Sequence, residues 1–279
     1  MIKILVLGDL MGKAGRRSIA KLLPKAQEQF QPDIILANGE NAAGGFGITK
    51  KIYDQLTQSY GVDCVTTGNH WHDKREIYEL LPQVNNLLIP ANMFNVSETK
   101  RGFTILESKG GQEYAVINLS GKAFMHADNR NPFHTADEIL RMVPDRIKIK
   151  IVDMHAEATS EKQGMGQYLV GRVSLVYGTH SHVPTADERI IDQHTGFITD
   201  VGMTGAYDSV IGIRKEAAIR RMTTGEKRKF EPATDDLWMC FVIAEVDPKT
   251  GQCRRIDRYR WELDRMPADV SLNETDQQS

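Results

Sequence analysis

Ile2-Lys3-Ile4-Leu5-Val6-Leu7-Gly8-Asp9 opens the chain with six residues of strand character that run into a glycine and a carboxylate. A short apolar run of this kind, stopped by glycine, reads as a strand buried on both faces. The pattern returns at Asp33–Ala37, Val62–Thr66, Leu87–Ile89, Tyr114–Asn118, Ile147–Asp153 and Val173–Tyr177. Between the first two, Ile19, Leu22, Leu23, Ala26 and Phe30 recur at helical spacing and predict an amphipathic helix. Thr49 can cap a second helix that buries Ile52 and Leu56. Alternation of strand and helix predicts a layered α/β fold with a largely parallel or mixed sheet. Further on, Phe197–Val201 reads as a strand and Arg214–Met222 as a helix. Met239–Val246 and Arg255–Trp261 read as a hairpin turned by Asp247-Pro-Lys-Thr-Gly251.

The composition narrows the function classes. Of 279 residues, 41 % are hydrophobic and 26 % charged, and the formal net charge is −2, the profile of a globular protein rather than a disordered one. Near-neutral charge argues against stable nucleic-acid binding through bulk electrostatics. Cys64, Cys240 and Cys253 are odd in number and widely spaced, which fits a reducing compartment better than a disulfide framework. No run approaches the roughly 18–20 apolar residues needed to cross a bilayer. These features predict a cytoplasmic protein without a membrane partner. No long Pro/Gly/Ser linker interrupts the chain, so residues 1–265 read as one domain, with cap segments within 71–95 and 202–236 and a loose polar tail at 266–279.

The residues just after each strand carry the chemistry. Leu7 leads to Gly8-Asp9, and Ala37 to Asn38-Gly39-Glu40-Asn41. Thr67 leads to Gly68-Asn69-His70, Val152 to Asp153-Met154-His155, and Tyr177 to Gly178-Thr179-His180-Ser181-His182. The carboxyl ends of strands in an open α/β sheet converge on one edge, so these side chains are expected to cluster in space. Carboxylate, amide and imidazole together suit Mn, Fe or Zn, and no thiolate takes part. Two ions about 3.5–4 Å apart need a bridging ligand, for which Glu40 is the natural choice. Gly44-Gly45-Phe46-Gly47 lacks the dinucleotide-binding order, and no phosphate-binding Gly-x₄-Gly-Lys-Ser/Thr occurs, so ATP-driven chemistry has no support.

These blocks resemble those of the calcineurin-like metallophosphoesterases. More narrowly, Asn38–Ala43, Asp153–Lys162, Gly178–Asp187 and Thr199–Tyr207 are similar to the YmdB-type bacterial phosphodiesterases, and the resemblance runs from Met1 to about Glu262. Met11 stands where the broad superfamily has a histidine, and Glu40 where it has an aspartate; both are features of the YmdB-type branch. The resemblance implies a four-layered α/β/β/α sandwich, two metal ions (Fe or Mn, with Zn also fitting), and a homo-oligomer. It implies that Asp9, Glu40, Asn41 and His182 hold one ion and that Glu40, Asn69, His155 and His180 hold the other. His70 would be the general acid and a metal-bridging hydroxide the nucleophile. The implied substrates are small phosphodiesters, in particular 2′,3′- and 3′,5′-cyclic nucleotides. A phosphomonoesterase or nucleotidase would use the same metals, and a nucleotide-sensing regulatory protein with incidental hydrolysis is the rival of another class.

Other residues carry weaker signals. His72 and Asp73 either orient His70, touch substrate or face solvent as loop residues. Glu157 and Thr159 are candidates to fix the tautomer of His155. Thr204, Gly205 and Tyr207 either border the pocket or form a turn. Ile213–Phe230 carries a local charge of +5, which would steer phosphates or simply be a solvated helix face.

Overall fold

In the opening strand Ile4, Leu5, Val6 and Leu7 are all fully buried. Side chains alternate across a strand, and here Leu5 and Leu7 enter one apolar cluster while Ile4 and Val6 enter another. The strand is therefore covered on both faces, and the layers that cover it define the rest of the fold. The structure is a computed structural model that describes residues 1–93, 102–125, 128–226 and 230–265.

The first half runs β1 (Ile2–Leu7), β2 (Asp9–Leu10), α1 (Gly12–Phe30), β3 (Ile34–Asn38), α2 (Lys50–Asp54), β4 (Cys64–Thr66) and α3 (Glu76–Leu80). The middle runs β5 (Phe103–Glu107), β6 (Glu113–Ser120), α4 (Pro132–Met142), β7 (Ile149–His155), α5 (Thr159–Tyr168) and β8 (Leu175–Thr179). The last part runs β9 (Arg189–Ile191), β10 (Thr195–Ile198), β11 (Met203–Ala206), α6 (Lys215–Thr224), β12 (Leu237–Val246) and β13 (Cys253–Glu262).

Among the described residues the strands form two sheets. One has seven strands in the order β2-β11-β12-β1-β3-β4, with β13 on β12; the other has six in the order β5-β6-β7-β8-β10-β9. In the first, β1, β3 and β4 are parallel, and β12 runs antiparallel to β1. In the second, β6, β7, β8 and β10 are parallel. Ile4, Val6, Ile34 and Leu36 of one sheet pack against Tyr114, Val116, Ile151, Leu175 and Tyr177 of the other. Outside the first sheet lies α1, through Ile19, Leu22, Leu23 and Ala26. Outside the second lie α4 and α5, through Ala136, Ile139 and Met165. This is the expected α/β/β/α order.

Several boundaries differ from expectation. Leu87–Ile89 makes an isolated parallel bridge from Leu87 to Val65 rather than a strand. It is fully buried, but Pro90 follows at once and cannot donate to a ladder. Val62–Thr66 contracts to Cys64–Thr66, Phe197–Val201 shifts to Thr195–Ile198, and the helix near 214–222 starts at Lys215 and ends at Thr224. Thr49 does cap α2 by accepting a bond from the Ile52 N–H, but Leu56 belongs to the wider π-helical turn Gln55–Ser59 that comes next. The hairpin of β12 and β13 closes through Asp247, whose carbonyl accepts the Gly251 N–H at 2.8 Å. The tail at 266–279 and residues 94–95 lie outside the described residues. Among the described residues no helix is long and apolar enough to cross a membrane.

Candidate metal centre

Parallel register brings the carboxyl ends of β1, β3 and β4 in one sheet, and of β7 and β8 in the other, to a shared edge. Asp9, Glu40, Asn41, Asn69 and His70 come after the first three ends. His155 closes β7, directly paired with Thr179 of β8, and His180 and His182 come after that strand. Asp9, Glu40, Asn41, His155 and His182 are buried. Gly68 is required by crowding: a Cβ there would stand 2.1 Å from His155 Nε2 and 2.4 Å from Glu40 Oε2.

The polar atoms converge on His155. Its Nε2 lies 3.0 Å from Asn69 Oδ1, 3.1 Å from His180 Nδ1 and 3.2 Å from Glu40 Oε1. On the other side of the ring, Nδ1 is 2.9 Å from Thr179 Oγ1, and that hydroxyl donates to Asp153 Oδ1 at 2.7 Å. Having given its proton to Asp153, Thr179 can only accept from Nδ1–H, so Nε2 is left to face the acceptors. One nitrogen cannot satisfy a carboxylate, an amide oxygen and a second imidazole together; a cation among them can. Ligand atoms of Glu40, His155 and His180 lie within 4.8 Å of one another, a group able to hold a metal.

The neighbouring half has the same character. Asp9 Oδ2 accepts the His180 N–H at 3.0 Å, while its Oδ1 is buried with no protein partner. Burial pushes this carboxyl up to about 7, so protein groups alone do not compensate an anion there. His182 donates through Nδ1 to the Ile211 carbonyl at 2.9 Å, leaving Nε2 free to coordinate. Asn41 Nδ2 lies 3.1 Å from both that Nε2 and Glu40 Oε1; for Asn41 to offer oxygen to an ion, its amide turns over. Burial alone would raise the Glu40 carboxyl, but the charge of His155 overrides it and holds it well below the usual range. Burial, then the adjacent His155, pushes the His180 imidazole down and keeps it neutral, the form that donates a lone pair. His180 and His182 both take positive φ, 97° and 64°, a conformation that costs a non-glycine residue about 1–3 kcal/mol.

His70 stands at the rim. Its backbone N–H donates to Glu40 Oε2 at 3.1 Å, its Nδ1 is 2.9 Å from Asp73 Oδ2, and its ring meets the edge of Phe46. Nε2 is the nitrogen left to face a ligand. The adjoining cavity, about 490 Å³, is lined by Glu40, Asn41, His70, Glu157, His180 and His182 on its polar side and by Met11, Phe46, Val183, Ile211, Ile213 and Phe230 on its apolar side. Ile211, Ile213 and Phe230 come from the segment 202–236.

Other expectations sort themselves. Asp73 is the residue that holds His70, and His72 is more distant, 3.7 Å from Asp73. Glu157 pairs with His180 Nε2 at 3.0 Å, not with His155, whose partner is Thr179; Thr159 begins α5. Thr204 is buried within β11, and Tyr207 stacks on Trp238 at 4.0 Å and donates to the Met203 carbonyl, so the two are structural. Much of the described positive charge of 213–230 is paired with nearby carboxylates, as in Arg214–Glu231, Lys215–Asp208 and Arg220–Glu226, while 227–229 fall outside the described residues. Lys162 and Asp200, a buried pair behind His180, had no role assigned from sequence, although both fall within the blocks Asp153–Lys162 and Thr199–Tyr207.

Two face-to-face sheets with helices outside, and a histidine–carboxylate–amide cluster at their shared edge, define a metallophosphoesterase-type sandwich. The sequence profile described as YmdB-like protein matches residues 5–259, and the chain belongs to that family. It is 42 % identical over 257 residues to the 2′,3′-cyclic-nucleotide 2′-phosphodiesterase of Bacillus subtilis, covering 92 % of this chain and 96 % of that one. Among solved structures, a hypothetical protein from Thermus thermophilus superimposes with a TM-score of 0.86 at 36 % identity, covering 94 % and 99 % of the two chains. A structure described as a novel phosphatase from Mycoplasma pneumoniae superimposes with a TM-score of 0.87 at 32 % identity, covering 94 % and 93 %.

Proposed function

We propose that this chain is a metal-dependent phosphodiesterase that opens cyclic nucleotides, 2′,3′-cyclic phosphates foremost. The observation that carries the reading is the convergence of Glu40, Asn69 and His180 on His155 Nε2, beside the orphaned Asp9 Oδ1. Asp9, Glu40, Asn41 and His182 would hold one ion, and Glu40, Asn69, His155 and His180 the other; Fe, Mn and Zn all suit this donor set. When bound, the ions supply Lewis-acid charge for the phosphoryl oxygens and a nucleophile from water at neutral pH. Glu40 would serve both sets, its Oε1 lying 3.1 Å from Asn41 Nδ2 and 3.2 Å from His155 Nε2. His70, held at Nδ1 by Asp73, donates a proton from Nε2 to the leaving oxygen. In a cyclic ester that oxygen stays on the ribose, so the proton completes its departure from phosphorus as a hydroxyl rather than an alkoxide. The apolar wall of Phe46, Ile211 and Phe230 receives the nucleoside body. The B. subtilis relative, named for 2′,3′-cyclic nucleotides, supports taking these before the 3′,5′ isomers.

The test is hydrolysis by the metal-reconstituted protein of bis(p-nitrophenyl) phosphate beside p-nitrophenyl phosphate, followed by 2′,3′-cyclic AMP with product identification. Chelator-sensitive diester turnover above the monoester rate, and 3′-AMP as product, are expected. A monoester preference would make the chain a phosphatase of nucleotidase type. Tight nucleotide binding without turnover, under full metal loading, would make it a sensor.

A further inference from the structure

We infer that Lys162, acting through Asp200, is the positioning residue that holds His180 and His182 in ligand geometry. The inference rests on the reading of those two histidines as metal ligands. Lys162 on α5 and Asp200 after β10 are each 1 % exposed in their side chains, and Lys162 Nζ lies 2.6 Å from Asp200 Oδ2. The same oxygen accepts both the backbone N–H of Ser181 at 3.1 Å and its hydroxyl at 2.7 Å, and Oδ1 accepts the Gly202 N–H at 2.8 Å. Ser181 is the residue between the two histidines, both of which hold positive φ. That turn is unfavourable in isolation, and the described contacts to Asp200 grip it at its centre. The lysine stem passes beneath the end of β8, where a Cβ on Gly178 would stand 2.8 Å from Lys162 Cδ. Burying a full ion pair behind a loop is costly unless every acceptor is filled, and here four donors converge on one carboxylate. Lys162 touches neither substrate nor ion; it neutralises and orients the anion that fixes Ser181.

Lys162→Met keeps the length of the stem and removes the charge. The full-length wild type and this variant, both stripped of metal, are titrated with Co²⁺, reading the visible d–d absorption together with affinity. The variant is expected to bind Co²⁺ about 10–100-fold more weakly, the usual effect of removing an outer partner, with an altered spectrum. Ile139→Ala, a cavity in the core under α4, serves as the stability control and should lower Tm without changing the spectrum. If Lys162→Met does not fold, Ser181→Ala removes one hydroxyl bond while leaving the ion pair, and should weaken Co²⁺ binding to a smaller degree. Wild-type affinity and spectrum in the folded variant, or a loss no greater than in Ile139→Ala, would overturn the positioning role. Failure of the unaltered protein to take up Co²⁺ would instead overturn the metal reading on which it rests.

Discussion

At Gly68 the absence of a side chain makes room for His155 and Glu40. Gly68→Ala is therefore expected to lower metal content after dialysis at least several-fold, measured by elemental analysis, because the Cβ has to displace Nε2 or the carboxylate. His70 makes the opposite prediction. Its contact to Glu40 runs through the backbone N–H, so His70→Ala should keep its metals while losing about 10²–10⁴ in kcat, the range for a general acid. Asp73→Ala should lose less, on the order of tenfold, since it removes only the partner of Nδ1. Full diesterase turnover in His70→Ala would rule out its role. The clustering of the proposed ligands was legible in the sequence because each lies at or just after a strand end, most of them beside a glycine. Of the partners of these residues and of His70, Asp73, three residues on from His70, was already a candidate to orient it; Thr179 and Asp200 were not legible, because they act across contacts that spacing does not encode. Glu157 was read against its sequence neighbour His155, whereas the fold turns it toward His180.

At the scale of elements, the segment from β8 to β9 is pinned by Asp187. Its carboxylate accepts the Thr185 hydroxyl at 2.7 Å and the Thr199 N–H at 3.1 Å, and also bonds the Thr199 hydroxyl. Burial would raise this carboxyl, but the Thr199 and Thr185 bonds outweigh it and lower its pKa below the ordinary aspartate value. A depressed folded pKa contributes stability above the unfolded pKa, and that contribution is lost as pH falls through the folded one. Asp187→Ala is thus expected to cost about 1 kcal/mol near neutral pH, discounted for its partial exposure. Thermal melts should show the gap to wild type closing below about pH 4; a gap independent of pH would contradict this origin. The strands were legible where burial on both faces leaves a continuous apolar run, as in β1, β6 and β8. In α5 the buried positions are Lys162, Met165 and Gly166, a stripe too thin to announce a helix. Leu87–Ile89 misled in the other direction, being as apolar as a strand but stopped by Pro90.

For the whole molecule, the candidate centre comes together because two sheets dock: Asp9, Glu40, Asn41 and Asn69 come from the first, and His155, His180 and His182 from the second. On the proposed reading, metal binding and docking are linked, and ions that bind the folded state would stabilise it by mass action, about 2.7 kcal/mol at a hundredfold excess over Kd. Chelation should lower Tm by several degrees, and readdition should restore it; an unchanged melt would separate the site from the fold. The α/β class was readable from the alternation of elements, whereas the four-layer order came from the family resemblance and from clusters that join residues over a hundred positions apart. The most direct measurement is the metal-to-chain ratio, by elemental analysis, of the reconstituted protein beside Glu40→Gln, with diester hydrolysis read on the same samples. Two ions per chain in the wild type, falling to one or fewer with loss of turnover in Glu40→Gln, is the predicted result. A single ion in the active wild type, or two ions retained in an active Glu40→Gln, would contradict a shared-carboxylate centre.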